Sequence, residues 1–161
     1  MHILFPAIET WKFTQHAPFK AVYPSQCRSV YLMIQRIQRH PFLALFDAPD
    51  ANTTADLRSE STVPMQALFL LNSPFVQEQA KALAGRLLGQ SSDPRQCIRQ
   101  AFALLWARAP AEEEVERAVA YLEHFRGRLE TEGTPPDQAA RQAWNSYAHI
   151  LLAANEFVYV D

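Results

Sequence analysis

Four glycines in 161 residues, none of them clustered, leave no phosphate-cradling loop of the GxxxxGK or GxGxxG kind. Cysteine is scarcer still. Cys27 and Cys97 are too few for a disulfide framework, and no CxxCH or CxxC occurs that would attach haem or form a redox pair. Net charge is nearly absent: 15 Lys plus Arg against 17 Asp plus Glu gives -2 and a pI near 6.2. No global field therefore draws the chain to nucleic acid or to an anionic membrane. No run of about 18 uninterrupted apolar residues reads as a membrane span. The start, MHILFPAIETWKF, lacks the basic region and long apolar core of an export signal. There is no GxSxG elbow, and Cys27 has no identifiable base, so nucleophilic catalysis has no motif here.

What is present is ordinary for a globular chain of one domain's length, with 48% hydrophobic and 20% charged residues and no sign of disorder. Eleven prolines punctuate it. Residues 1–27 hold Pro6, Pro18 and Pro24 and follow neither helical nor strand periodicity, so they read as an extended lead-in anchored by Trp11, Phe13, Phe19 and Tyr23. Residues 29–35 fit a strand by alternation and a helix by the 30/33/34/37 face; their β-branched and aromatic content favours the strand. Pro41 suits the first turn of a short helix, and residues 47–63 follow as a polar loop.

Pro64 opens a segment that is apolar all round at 67–71, which predicts a buried central helix with Leu68 and Leu71 on opposite sides. Ser73 and Pro74 then start a helix with Val76, Ala80, Leu83, Ala84 and Leu87 inward, ending at Gly89. Asp93 and Pro94 start another, with Ile98, Ala101, Phe102 and Leu105 inward. After Pro110, Glu112, Glu113 and Glu114 mark the positive end of a helix whose stripe is Val115, Ala118, Val119, Leu122, Phe125 and Leu129, stopped near Gly133. Pro135 and Pro136 open the last helix, with Ala140, Ala143, Trp144, Tyr147, Leu151 and Ala154 inward and an end at Asn155. The expected fold is mainly α: four to five packed helices around the central buried helix, one short strand and a long N-terminal loop. The expected domains are the lead-in 1–27 and a single mainly helical domain over 28–161.

Chemistry-bearing residues gather in the loop. Asp47, Asp50 and Asn52 stand at spacings of three and two, with Arg58 following and Arg28 at the head of the strand. Such carboxylates pair with arginine and satisfy turn backbone; the same oxygens suit a hard cation, and Asp47 with Asp50 is also a candidate acid and base pair of the glycosidase type. The absence of EF-hand spacing or of a following bidentate Glu favours arginine pairing, and no metal is expected. Thr62 is placed to cap the Pro64 helix, and Gln66 to point inward as a donor. Arg28, Arg36, Arg39 and His40, beside Tyr31 and Phe42, form a local basic patch that suits an acidic polymer such as a sulfated sugar, or simply protects a strand edge.

RSVYL at 28–32, FDAPDAN at 46–52, TVPMQALFLLN at 62–72 and PFV at 74–76 resemble, in this order, the C-terminal part of a planctomycete secreted domain of unknown function. WKFTQHAPFKAVY at 11–23 and the closing NEFVYVD extend the resemblance over nearly the whole chain. That domain follows cytochrome-c-like modules in large exported bacterial proteins. The resemblance implies a C-terminal piece of an extracytoplasmic parent, exported by a signal far upstream of Met1, with the parent's upstream domains as partners. Haem c, if the parent carries it, is implied elsewhere, with no cofactor in this segment. The expected role is a structural or interaction module; the alternative is part of an extracytoplasmic carbohydrate-processing hydrolase acting on polysaccharide through Arg28, Asp47, Asp50, Asn52 and Arg58. Export would permit Cys27 and Cys97 to pair, although nothing in their spacing requires it.

Overall fold

A computed structural model describes residues 31, 36, 40–49, 52 and 64–158, and the chain divides into two compact units, Met1–Gln66 and Ala67–Asp161. In the first unit Pro41 opens α1 (Pro41–Leu45), as its fixed φ suits a first helical turn while the preceding His40 stays extended. The helix stops where Asp47 takes a φ of 54° and the Ala48 N–H reaches back to Leu43 O at 2.9 Å. Glycine usually fills such a left-handed position, and aspartate is among the few other residues that tolerate it. The lead-in 1–27 lies outside the described residues, as does the expected strand over 29–35 apart from an exposed Tyr31. No strand occurs among the described residues.

Beyond α2 (Pro64–Asn72), which crosses the boundary between the units, the second unit is built from α3 (Pro74–Gln90), α4 (Pro94–Trp106), α5 (Glu112–Thr131), α6 (Pro136–Ala153) and the short α7 (Asn155–Val158). Prolines open α3, α4 and α6 in their first turns, where the missing N–H has no intrahelical partner to lose. Asp93 Oδ1 caps α4 by accepting from the Arg95 N–H at 3.0 Å. Ser73 occupies the equivalent place before α3 with extended geometry, but its buried hydroxyl makes no capping bond. α5 ends at Thr131, and just past it Gly133, with a φ of 93°, lets the Thr134 N–H return to Leu129 O at 3.0 Å.

The expected stripes of α3, α4 and α5 do form the core: Val76, Ala80, Leu83, Ala84 and Leu87 meet Ile98, Ala101, Phe102, Val115, Ala118 and Leu122, with Leu105, Val119 and Phe125 partly buried against them. The centre differs from expectation. In α2 only Gln66 is buried, whereas Leu68 and Leu71 are 50% and 53% exposed. A segment apolar on every side lacks a polar face, but that pattern does not say which side will find a partner. α6 takes the central place and packs against α3, α4, α5 and α7. It buries Ala139, Ala148 and Leu152 as well as Ala143, Trp144, Tyr147 and Leu151, so two adjacent i,i+4 ridges are apolar and more than one neighbour can be served. Ala154 leaves the helix in extended conformation, and Asn155, expected as the end of α6, begins α7.

Candidate functional site

Of the loop residues with catalytic or binding promise, Arg28, Asp50, Arg58 and Thr62 lie outside the described residues. The other three are described. Asp47 supplies the left-handed turn that ends α1. Asn52 Nδ2 donates to Arg36 O at 2.9 Å. Gln66, 6% exposed, donates from Nε2 to Leu45 O at 2.9 Å, so the inward amide expected from sequence satisfies a carbonyl at the C-terminal end of α1, where helices leave such groups without intrahelical partners. Among the described residues no group of three or more His, Cys, Asp or Glu is arranged to hold a metal ion.

The strongest polar arrangement lies instead at the junction of α4, α5 and α7. Ala107 ends α4 in the left-handed region with φ 53°, which turns the following Arg108 back over its own helix. The guanidinium carbon sits 5.0 Å from the Phe102 ring centroid and 5.3 Å from that of Trp106. Both of its outer nitrogens donate to Glu114, Nη1 to Oε2 and Nη2 to Oε1, each at 2.8 Å. A second carboxylate, Glu156 of α7, accepts from Nε and, at 2.9 Å, from Nη2. Glu114 also accepts from the Ala111 N–H at 2.7 Å, closing the first turn of α5. These bonds to Arg108 and the backbone hold the Glu114 carboxyl down at about 2. Glu156 is likewise held below the ordinary range, chiefly by its hydrogen bonds to Arg108, and Arg108 is held above its own.

Sequence reasoning finds Glu114 only as a helix-dipole residue and misses Arg108 and Glu156 altogether. The position of Glu114 three residues after Ala111, at the third helical residue, is a legible capping signal. Nothing local could pair Arg108 with Glu156, 48 residues away.

Elsewhere polar groups stitch helices together. Arg95 bridges Glu112 at 2.8 Å and Glu116 at 2.6 Å between α4 and α5, the Tyr121 and Ser146 hydroxyls bond at 2.8 Å between α5 and α6, and His149 Nε2 donates to Leu70 O at 3.0 Å. Cys97 is a free, buried thiol whose pKa is raised by burial. Burial likewise pushes the Tyr147 hydroxyl up to about 12. Every shift found among the described residues thus moves a group away from neutral pH. Two open concavities lie among the described residues, of about 170 Å³ beside Val119, Leu122, Ala143 and Trp144 and about 330 Å³ beside Leu87, Gln100 and Leu104.

Fold and site define a small helical bundle whose described polar groups join its own elements. The chain belongs to the PSD1 family, a protein of unknown function (DUF1553), whose family model matches residues 6–122. No curated protein and no solved structure matches it. The matched segment ends inside α5, so the central helix α6 lies beyond it.

Proposed function

We propose that this chain is a structural or interaction module near the C-terminus of a large exported planctomycete protein, acting outside the cytoplasm with the parent's upstream domains as its partner. The observation that carries the reading is an apolar face near the start of the bundle. Leu68, Leu71 and Phe75 are 50%, 53% and 60% exposed, and Glu78 is the single charged residue between positions 64 and 80. Large apolar side chains left exposed this close in sequence, with so little charge among them, mark a surface that another surface covers. In this reading the segment itself binds no cofactor, and any haem c belongs to another part of the parent.

The test is to express the chain and the polypeptide encoded immediately upstream of it as separate molecules and mix them. A complex that co-elutes in gel filtration and is weakened by Leu71→Glu is expected. Absence of a complex, or release of sugars from a polysaccharide panel by the chain with loss of that activity in Asp47→Asn, would remove the reading.

A further inference from the structure

A four-residue helix is far below the length at which helices persist in water, and α7 has no buried residue of its own. It stays on the bundle because it touches α4 and α6 and because Glu156 reaches Arg108. The two carboxylates on that guanidinium are not equivalent. Glu114 has three donors, two from Arg108 and one from the Ala111 backbone, lies at the positive end of α5, and leaves 25% of its side chain exposed. Glu156 has donors from Arg108 alone, and its side chain is 43% exposed. Ala154, extended between α6 and α7, is the single residue at which the chain changes direction.

We propose that α7 is a releasable strap, latched to the bundle by Glu156 on Arg108, and that Glu114 keeps Arg108 in place when the latch opens. Release frees the Nε and Nη2 edge of the guanidinium, which remains stacked over Phe102 and Trp106. The charged groups that act on Glu156 are Arg108 and, with opposite sign, Glu114. From the neighbouring helices, Tyr147 of α6, held up at about 12 by burial and the charge of Glu114, stays protonated through the relevant range, His149 is hydrogen-bonded to Leu70 O, and Arg95 and Arg99 of α4 are paired with Glu112 of α5. The order of events follows from the geometry: Glu156 has fewer donors than Glu114 and is the more exposed of the two, so it gives up its charge first. A carboxylate whose pKa is depressed in the folded state favours that state above its free value and loses this as pH falls through the depressed one. Glu156 protonates below the ordinary glutamate value of roughly 4.3. Glu114 is held down at about 2 by its two bonds from Arg108 and one from the Ala111 N–H. The strap therefore opens while the bundle remains closed.

Two-dimensional amide NMR of the full chain between pH 7 and pH 2.5 tests this. The Phe157 and Val158 amides should move to unstructured positions with a midpoint below roughly 4.3, while Ile98 and Val115 keep their native shifts. Glu156→Gln should show the released α7 signals already at pH 7 with the bundle signals in place. Glu112→Gln, which removes another surface carboxylate of the same bundle, should leave α7 docked. The proposal is overturned if α7 stays docked in Glu156→Gln, if it is already free in the unaltered chain at pH 7, if Glu112→Gln releases it equally, or if α7 and the bundle unfold at one common pH.

Discussion

Replacing Leu87 by alanine should cost several times more than the same change at Leu68, although the sequence presents Leu68 in the more continuous apolar run. Leu87 is 1% exposed and belongs to the core cluster of α3, α4, α5 and α6. Leucine to alanine at such a site costs about 2.7 to 5 kcal/mol, the spread reflecting how far the surroundings collapse into the space. Leu87 also borders the open groove with Gln100 and Leu104, which lets neighbours and water relax into the gap, so the lower part of that range, about 3 kcal/mol, applies. Leu68 keeps 50% of its surface in water. Its truncation forfeits about half the transfer energy of three carbons, roughly 1 kcal/mol, leaves no cavity, and regains a few tenths from alanine's better helix propensity. Against a total of about 5 to 15 kcal/mol, the difference between the two is readily resolved by urea unfolding followed by circular dichroism, read at unchanged m. If Leu68→Ala shifts the midpoint as far as Leu87→Ala, α2 is central after all and the packing around α6 described above is wrong.

Ala107 holds a left-handed φ of 53° that glycine adopts without strain, so Ala107→Gly should raise stability by about 0.5 to 1 kcal/mol in the same assay, and a loss would show that Arg108 is placed by something other than this turn. Asp93→Ala should cost about 1 kcal/mol because its carboxylate caps α4, whereas any cost of Ser73→Ala cannot come from a side-chain cap, since that hydroxyl makes no capping bond; the two are separated by comparing each with its Asn variant, which should rescue position 93 alone. A chain ended at residue 122, the limit of the family match, lacks α6 and half of α5 and should show no cooperative thermal transition, while one ended at residue 158 should melt as the full chain does. Acid stability should depend on Glu114: its depressed pKa adds stability above roughly pH 4.3 that is lost as pH falls toward about 2, so Glu114→Gln should flatten the melting temperature over that interval.

The helices of the second unit are legible in the amino-acid sequence for a local reason. A polar residue followed by proline sets where a helix can begin, and apolar residues at i, i+4 and i+7 then set the side it buries. Val76, Ala80, Leu83, Ala84 and Leu87 need nothing beyond their own spacing to declare a common face, and all five are buried. The same logic locates α1 behind Pro41 and the end of α5 just before Gly133. It fails at α2, because a run that is apolar in every direction has no phase to read. Which helix is surrounded depends on what the other helices offer, and two adjacent ridges on α6 outweigh one continuous patch on nine residues.

The loop candidates are legible only in part for a related reason, and Arg28, Asp50, Arg58 and Thr62 lie outside the described residues. Short polar side chains such as Asp47 and Asn52 suit both chemistry and turn geometry; Asp47 stands in a left-handed turn and Asn52 donates to Arg36 O. Gln66 points inward as its sequence context implies, yet its acceptor, Leu45 O, cannot be read from a sequence separation of 21. Arg108 carries the same lesson furthest. Its charge and its place after α4 are visible in the chain, but its two carboxylates arrive from α5 and from α7, 6 and 48 residues away. Local sequence determines where each helix starts and which way it faces; only the packing of α4, α5, α6 and α7 brings Glu114 and Glu156 to one guanidinium, because side-chain ion pairing acts over a few ångströms of space irrespective of distance along the chain.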